Sequence, residues 1–144
     1  MAKASFVFRI VYAVCLAAAT YTHVVFHLRF GVFLESLTSA GYSIGTRIFW
    51  SSLTILDPIA VYLLFFRPRI GLILAFIIIV CDVLHNSWIL HHLGFSAGPE
   101  YWAQVAFLVF VLATIKVAWR GLPRANALKN ETTEPNQSST AQRP

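Results

Sequence analysis

The segment CDVLHNSWILHH, residues 81–92, adds polar side chains to the end of the most apolar stretch of the chain. Asp82, His85 and Asn86 are related by steps of three and four residues, and His92 follows His85 by seven. A helix places residues at these spacings on one face. An acid, an amide and imidazoles on one face can exchange protons, bind a cation or ligate a metal. The spacing therefore predicts a polar stripe along one helix.

Polar side chains also occur inside two other apolar runs. Asp57 lies within residues 48–66 and is followed by Pro58, which cannot donate the usual helix hydrogen bond. In the first apolar run, His23 and His27 are four residues apart and share a helix face. An ionisable residue within a membrane-spanning helix costs several kcal/mol unless it faces protein or water. Each of these residues is therefore a candidate for a functional site.

The composition indicates a membrane protein. Hydrophobic residues make up 58% of the 144 residues, charged residues only 12%, and the mean hydropathy is +0.68, which is too apolar for a soluble domain of this size. Four runs approach the roughly 20 apolar residues that a helix needs to cross a bilayer, and they lie at residues 6–28, 48–66, 70–90 and 101–120. The runs lack the alternation of barrel strands. We predict an all-α fold, an integral membrane four-helix bundle within residues 1–120.

The distribution of positive charge predicts the orientation of this bundle. Lys and Arg side chains flank the start of the first run, the connection between the second and third runs, and the end of the fourth run. Short loops rich in Lys and Arg stay in the cytoplasm. We therefore predict that both termini are cytoplasmic and that the protein resides in the plasma (cell inner) membrane. Residues 121–144 are polar and rich in Pro, Ser, Thr and Asn, and they are predicted to form a disordered cytoplasmic tail.

The first run has a second interpretation. Lys3, Arg9, an apolar core and three alanines at 17–19 are also typical of a secretory signal with a cleavage site. Apolar residues continue past Ala19 to Leu28, which makes the run long enough to span the bilayer. We favour a first span and leave a cleaved signal as the alternative.

The two acids, Asp57 and Asp82, are predicted to lie at similar depth in the membrane. At about 1.5 Å per residue, Asp57 lies roughly 15 Å below the external start of its run, and Asp82 roughly 13 Å below the external end of its run. His85 lies about one turn above Asp82, and His23 lies roughly 7 Å below the external end of the first run. We therefore predict a buried polar pocket in the external half, with a ligand or proton site formed by Asp57, Asp82, His85, Asn86 and His23.

Two non-enzymatic functions fit such a pocket. A buried carboxyl favours its neutral form and can exchange a proton or bind a cation or a small cationic ligand. The same polar groups can instead form interhelical hydrogen bonds that direct assembly with other membrane proteins or with a second copy of the chain. We find no nucleophile with its base and no phosphate-binding loop, so we predict no catalytic residue.

A b-type haem or a divalent metal is the alternative chemistry. His23 and His85 lie at comparable predicted depth on helices that run in the same direction, and neutral imidazole is a common ligand. His27 and His92, nearer the external surface, complete the set of candidate ligands. This alternative implies a redox role and stays open at the level of the sequence.

The net charge of +5 does not indicate nucleic acid as a partner. The Lys and Arg side chains flank the apolar runs and do not form a basic helix with interleaved aromatic residues. The predicted surroundings are the lipid bilayer and other membrane proteins. Cys15 and Cys81 lie inside apolar runs and are predicted to be small buried side chains rather than a disulfide.

Overall fold

The computed structural model describes residues 2–31 and 41–122, and these residues form four α-helices. The helices are α1 (Ala2–Phe30), α2 (Ile44–Phe66), α3 (Pro68–Leu93) and α4 (Pro99–Arg120). The predicted all-α fold is confirmed over this part of the chain. The tail predicted at 121–144 lies outside the described residues, except for Gly121 and Leu122.

Local sequence signals set the ends of the helices. α2 begins before the predicted start at residue 48, because the Ser43 hydroxyl accepts a hydrogen bond of 3.2 Å from the Thr46 N–H and caps the helix. Pro68 and Pro99 are the first residues of α3 and α4, where a missing N–H costs nothing. α3 ends at Leu93, and the next residue, Gly94, caps the helix with a left-handed φ of +67°.

Each helix packs antiparallel to the helices next to it in the chain, and α1 also packs against α4, which closes the bundle. Three hydrogen bonds between neighbouring helices, at the two ends of the bundle, reflect this antiparallel packing. The Ser5 hydroxyl donates to the Ala118 carbonyl at 2.5 Å, and the Arg9 guanidinium donates to the Leu64 carbonyl at 2.9 Å. At the opposite end, His27 Nε2 lies 3.0 Å from Thr54 Oγ1.

The two halves of the bundle differ in their interiors. We call the half formed by residues 2–16, 58–78 and 108–120 the closed half, because its core is packed with fully buried apolar side chains and the ring of Tyr12. The Tyr12 hydroxyl, itself buried, lies 2.8 Å from Thr114 Oγ1. The other half, formed by residues 17–30, 44–57, 79–93 and 99–107, we call the polar half.

The outer surface of the described residues is largely apolar. Side chains such as Ile55, Leu84 and Val109 are exposed on α2, α3 and α4. All four helices are long and apolar enough to cross a membrane. Both features are compatible with a transmembrane helical protein, since a lipid-facing surface is as apolar as a protein core.

Candidate functional site

Asn86 is the centre of a hydrogen-bond network in the polar half. Its Oδ1 accepts a hydrogen bond of 3.0 Å from the indole Nε1 of Trp50 on α2. Its Nδ2 donates to Oδ1 of Asp82, one turn earlier on α3, and to Oε1 of Gln104 on α4, each at 2.9 Å. Both amide hydrogens and the carbonyl oxygen are therefore used. The network joins three of the four helices through one side chain.

Asp57 differs from Asp82 in its hydrogen-bond partners. Its side chain is only 2% exposed, and its Oδ2 lies 3.7 Å from Nε2 of His23 on α1. Its Oδ1 is buried and has no hydrogen-bond partner among the described residues. A buried acceptor without a partner costs roughly 1–3 kcal/mol, and more when it is charged. Among the described residues, this oxygen is therefore an acceptor that no side chain or backbone group uses.

An inner cavity of about 350 Å³ lies beside this carboxyl group. Asp57 and Asp82 both line it, from α2 and α3, and His23 lines it from α1. Leu16, Ile78 and Phe107 form apolar wall at the level where the closed half begins. The predicted juxtaposition of Asp57, Asp82 and His23 is therefore present in one cavity.

An outer cavity of about 310 Å³ adjoins the inner one, since Thr22, His23, Glu100 and Gln104 line both. We call the two cavities together the chamber. Rings form a large part of the wall of the outer cavity, from Phe26, His27, Tyr42, Trp50, Phe95 and Tyr101, beside other residues such as Asn86 and Leu90. Glu100 is exposed, so the chamber opens at the end of the bundle where α4 begins.

The chamber is lined by the acidic side chains of Asp57, Asp82 and Glu100, and among the described residues that line either cavity none is Lys or Arg. Burial raises the pKa of the Tyr42 phenol at the outer wall, which keeps this group a neutral hydroxyl. The electrostatic character of the chamber therefore favours a positively charged occupant.

His85 lies outside both cavities, unlike its expected position in the pocket. Its ring packs 4.4 Å from the ring of Phe49, measured between centroids, and its buried Nε2 has no partner among the described residues. The reason is geometric, because positions i+3 and i+4 of a helix diverge by about 100°. Asn86 points toward the centre of the bundle, and His85 points toward α2.

Of the four candidate haem ligands, only His23 and His27 line a common cavity, the outer one. His85 and His23 share no cavity, and His92 is exposed and stacks on Trp88 with a centroid distance of 4.9 Å. His27 lies in the outer wall and pairs with Thr54. In residues 2–31 and 41–122, no group of three or more His, Cys, Asp or Glu side chains is arranged to hold a metal ion. The pair of His23 and His85, which the sequence offered for a bis-histidine haem, is therefore not brought together in one cavity.

Trp50 and Tyr101 were not among the residues predicted for the site, although both form contacts in it. Trp50 donates to Asn86, and the Tyr101 hydroxyl lies 2.9 Å from Ser87 Oγ. A signal for Trp50 exists, because it precedes Asp57 by seven residues and so shares its helix face. The position of Trp50 on the helix face of Asp57 was therefore a sequence signal for its place in the site.

Comparisons of the chain with protein-family models, with curated proteins and with solved structures found no match.

Proposed function

We propose that the chain is a four-span integral protein of the plasma (cell inner) membrane with both termini in the cytoplasm. The distribution of charge supports this orientation. Lys3 and Arg9 lie near the start of α1, Arg67 lies between α2 and α3, and Lys116 and Arg120 lie near the end of α4. All belong to the closed half, and Lys and Arg side chains of short loops favour the cytoplasmic side. The chamber then opens to the outside.

Reporter fusions test this orientation. We expect alkaline phosphatase, which is active only outside the cytoplasm, to be inactive when fused after residue 122 and active when fused after residue 97, between α3 and α4. A green fluorescent protein fusion at the same two positions is the matched control and should give the opposite pattern. An active phosphatase at residue 122 would overturn the orientation.

We further propose that the chamber binds a proton or a small cation at Asp57. The observation that carries the proposal is the buried Oδ1 of Asp57, which lines the inner cavity without a hydrogen-bond partner among the described residues. A bound cation would coordinate or hydrogen-bond this oxygen, and a bound proton would neutralise the charge of the carboxyl group. Folding without such an occupant leaves the cost of this group uncompensated.

The alternative of a site for assembly receives less support. Assembly through polar side chains requires them on the outer surface, where a second protein can reach them. Asp57 and Asp82 are buried, and the amide group of Asn86 already forms its hydrogen bonds within the chain. The polar groups in question therefore serve the interior of this bundle.

Labelling with dicyclohexylcarbodiimide tests the proposed site. This apolar reagent adds to protonated carboxyl groups, so we expect it to modify Asp57 in the detergent-purified full chain, as measured by mass spectrometry of its peptides. We expect labelling to slow as the pH is raised, and to slow at constant pH and ionic strength when ammonium or Na⁺ replaces a bulky cation. Glu131 and Glu134 act as internal references for the reagent.

The Asp57→Asn variant is the control for the labelled position and should lose the label from the α2 peptide. Labelling of Asp57 that responds to neither pH nor any cation would show that the carboxyl is only a structural group. Absence of label at Asp57, with the references labelled, would show that the chamber does not give access to it. Either result would overturn the proposed function.

A further inference from the structure

We propose that the chamber binds a protonated primary or secondary organic amine, with its N–H group on Asp57 and its apolar part against the aromatic wall. This inference rests on the proposed cation site and names its ligand class.

Asp57 is the reason why we expect the ligand to carry an N–H group. Its Oδ1 lacks a hydrogen-bond partner among the described residues, and its Oδ2 has only the contact of 3.7 Å to His23. A primary or secondary ammonium group donates two or three hydrogen bonds and carries the charge that makes such bonds strong. A quaternary ammonium group carries the charge but no donor. The unpartnered oxygen therefore distinguishes between the two kinds of cation.

We expect an organic cation rather than Ca²⁺ or Mg²⁺ because the chamber offers few free oxygen ligands. Ca²⁺ takes about six to eight oxygen ligands, and Mg²⁺ demands six in near-octahedral geometry. In the chamber, Oδ1 of Asp82 and Oε1 of Gln104 already accept hydrogen bonds from Asn86. The remaining wall is dominated by apolar and aromatic side chains. Such a wall offers too few oxygen ligands for Ca²⁺ or Mg²⁺, but it can bury a hydrocarbon group.

The aromatic wall lies at a suitable distance from the acid. Trp50 precedes Asp57 by seven residues on α2, which is two turns or about 10 Å along the helix axis. Tyr42 packs on Trp50 with a centroid distance of 5.3 Å, and Phe95 packs on Tyr42 at 6.2 Å. A ring on a short carbon linker can therefore lie among these aromatic side chains while its ammonium group reaches Asp57. The volumes of the two cavities are at the lower end of the roughly 300–1,000 Å³ of small-molecule sites.

The charges around Asp57 set the direction of the pH dependence. Asp57 is faced by His23 of α1, Asp82 of α3 and Glu100 of α4, which line the same cavity. Lowering the pH protonates the carboxylates and charges the imidazole, and both changes weaken the attraction for an ammonium group. Amine binding is therefore expected to weaken as the pH falls.

Three probes that share a phenylethyl group test the inference on the detergent-purified full chain. They are phenethylamine, its N,N,N-trimethyl derivative and 2-phenylethanol. Isothermal titration calorimetry at pH 8 measures their binding, and protection of Asp57 from the carbodiimide reports where they bind. We expect phenethylamine to bind and protect, and each of the other two to bind at least tenfold more weakly.

Two variants complete the experiment. Asp57→Asn should weaken phenethylamine binding at least tenfold while its circular dichroism and thermal unfolding show a folded bundle. His92→Gln, an exposed position outside both cavities, is the matched control and should bind like the parent.

Three outcomes would overturn the inference. Equal binding of the trimethyl derivative would remove the requirement for an N–H group. Unchanged phenethylamine binding by the Asp57→Asn variant would place the amine elsewhere. Protection of Asp57 by Na⁺ or ammonium, with none by phenethylamine, would exclude the organic ligand and leave the cation site standing. If no cation and no pH change affects Asp57, the proposed function fails as well.

Discussion

Replacing Gly71 by Ala should destabilise the bundle by about 3 kcal/mol, the upper part of the usual range for overpacking. Gly71 is buried on α3 where this helix passes the end of α2. A Cβ atom there would overlap the backbone nitrogen of Leu64 and lie 2.5 Å from the carbonyl carbon of Leu63. Carbon atoms pack best at about 3.5–4.0 Å. Backbone atoms cannot turn aside as a side chain can, so the two helices must separate.

Gly45→Ala is the matched control for this prediction. Gly45 is exposed in the first turn of α2, and a Cβ atom there would meet only Ser43 Oγ, at 3.7 Å. Alanine favours the helix over glycine by up to about 1 kcal/mol, so this variant should be as stable as the parent or slightly more stable. Thermal and SDS-induced unfolding, followed by circular dichroism, measure both variants. Equal stability of the two would contradict the close approach of α2 and α3.

Replacing Asn86 by Leu should cost about 2 kcal/mol of unfolding free energy. The two interhelical bonds, to Trp50 and Gln104, contribute about 0.6 kcal/mol each on average, and the bond to Asp82 within α3 contributes about 0.5–1.5 kcal/mol. The change removes the contacts of Asn86 with Trp50, Asp82 and Gln104 together. Leucine is apolar and similar in size, so the loss reports the hydrogen bonds rather than a cavity. We also expect intrinsic fluorescence to change, because the Trp50 indole loses its acceptor.

Ser87→Ala is the neighbouring control and should cost no more than about 1 kcal/mol. Ser87 has one contact with another helix, the 2.9 Å contact with the Tyr101 hydroxyl, and its second hydrogen bond is to Val83 of its own helix. The same unfolding measurements apply. A loss at Ser87 as large as that at Asn86 would mean that the network around Asn86 has no special weight in joining α2, α3 and α4.

Sequence periodicity was sufficient to find the polar face of α3 but not to orient every residue on it. The spacing of Asp82 and Asn86 correctly predicted neighbours on one face, and their side chains are hydrogen-bonded at 2.9 Å. The same argument included His85, which instead packs against Phe49. A helix face defined by steps of three and four is about 100° wide, and only the position of α2 decides which edge meets the interior.

The chamber itself could not be predicted from spacing. Depth counting placed Asp57 and Asp82 at one level, and they do line one cavity. Counting along separate helices contains no information on the gaps between them, which depend on how side chains such as Phe107 and Tyr101 pack. The role of Trp50 was missed for a related reason, since an indole near a helix end has the same sequence signature at a lipid interface and in a hydrogen-bond network.

For the proposed cation site, a chamber open at one end above a closed half predicts that binding is sensitive to voltage. In the proposed orientation, a cation that moves from outside to Asp57 crosses part of the electric field of the membrane. One elementary charge gains about 2.3 kcal/mol across a full potential of 100 mV, so half of the field contributes about 1 kcal/mol. A potential negative inside thus tightens binding severalfold. We therefore expect occupancy of the chamber by the proposed cation to follow the membrane potential as well as the concentration of the ligand.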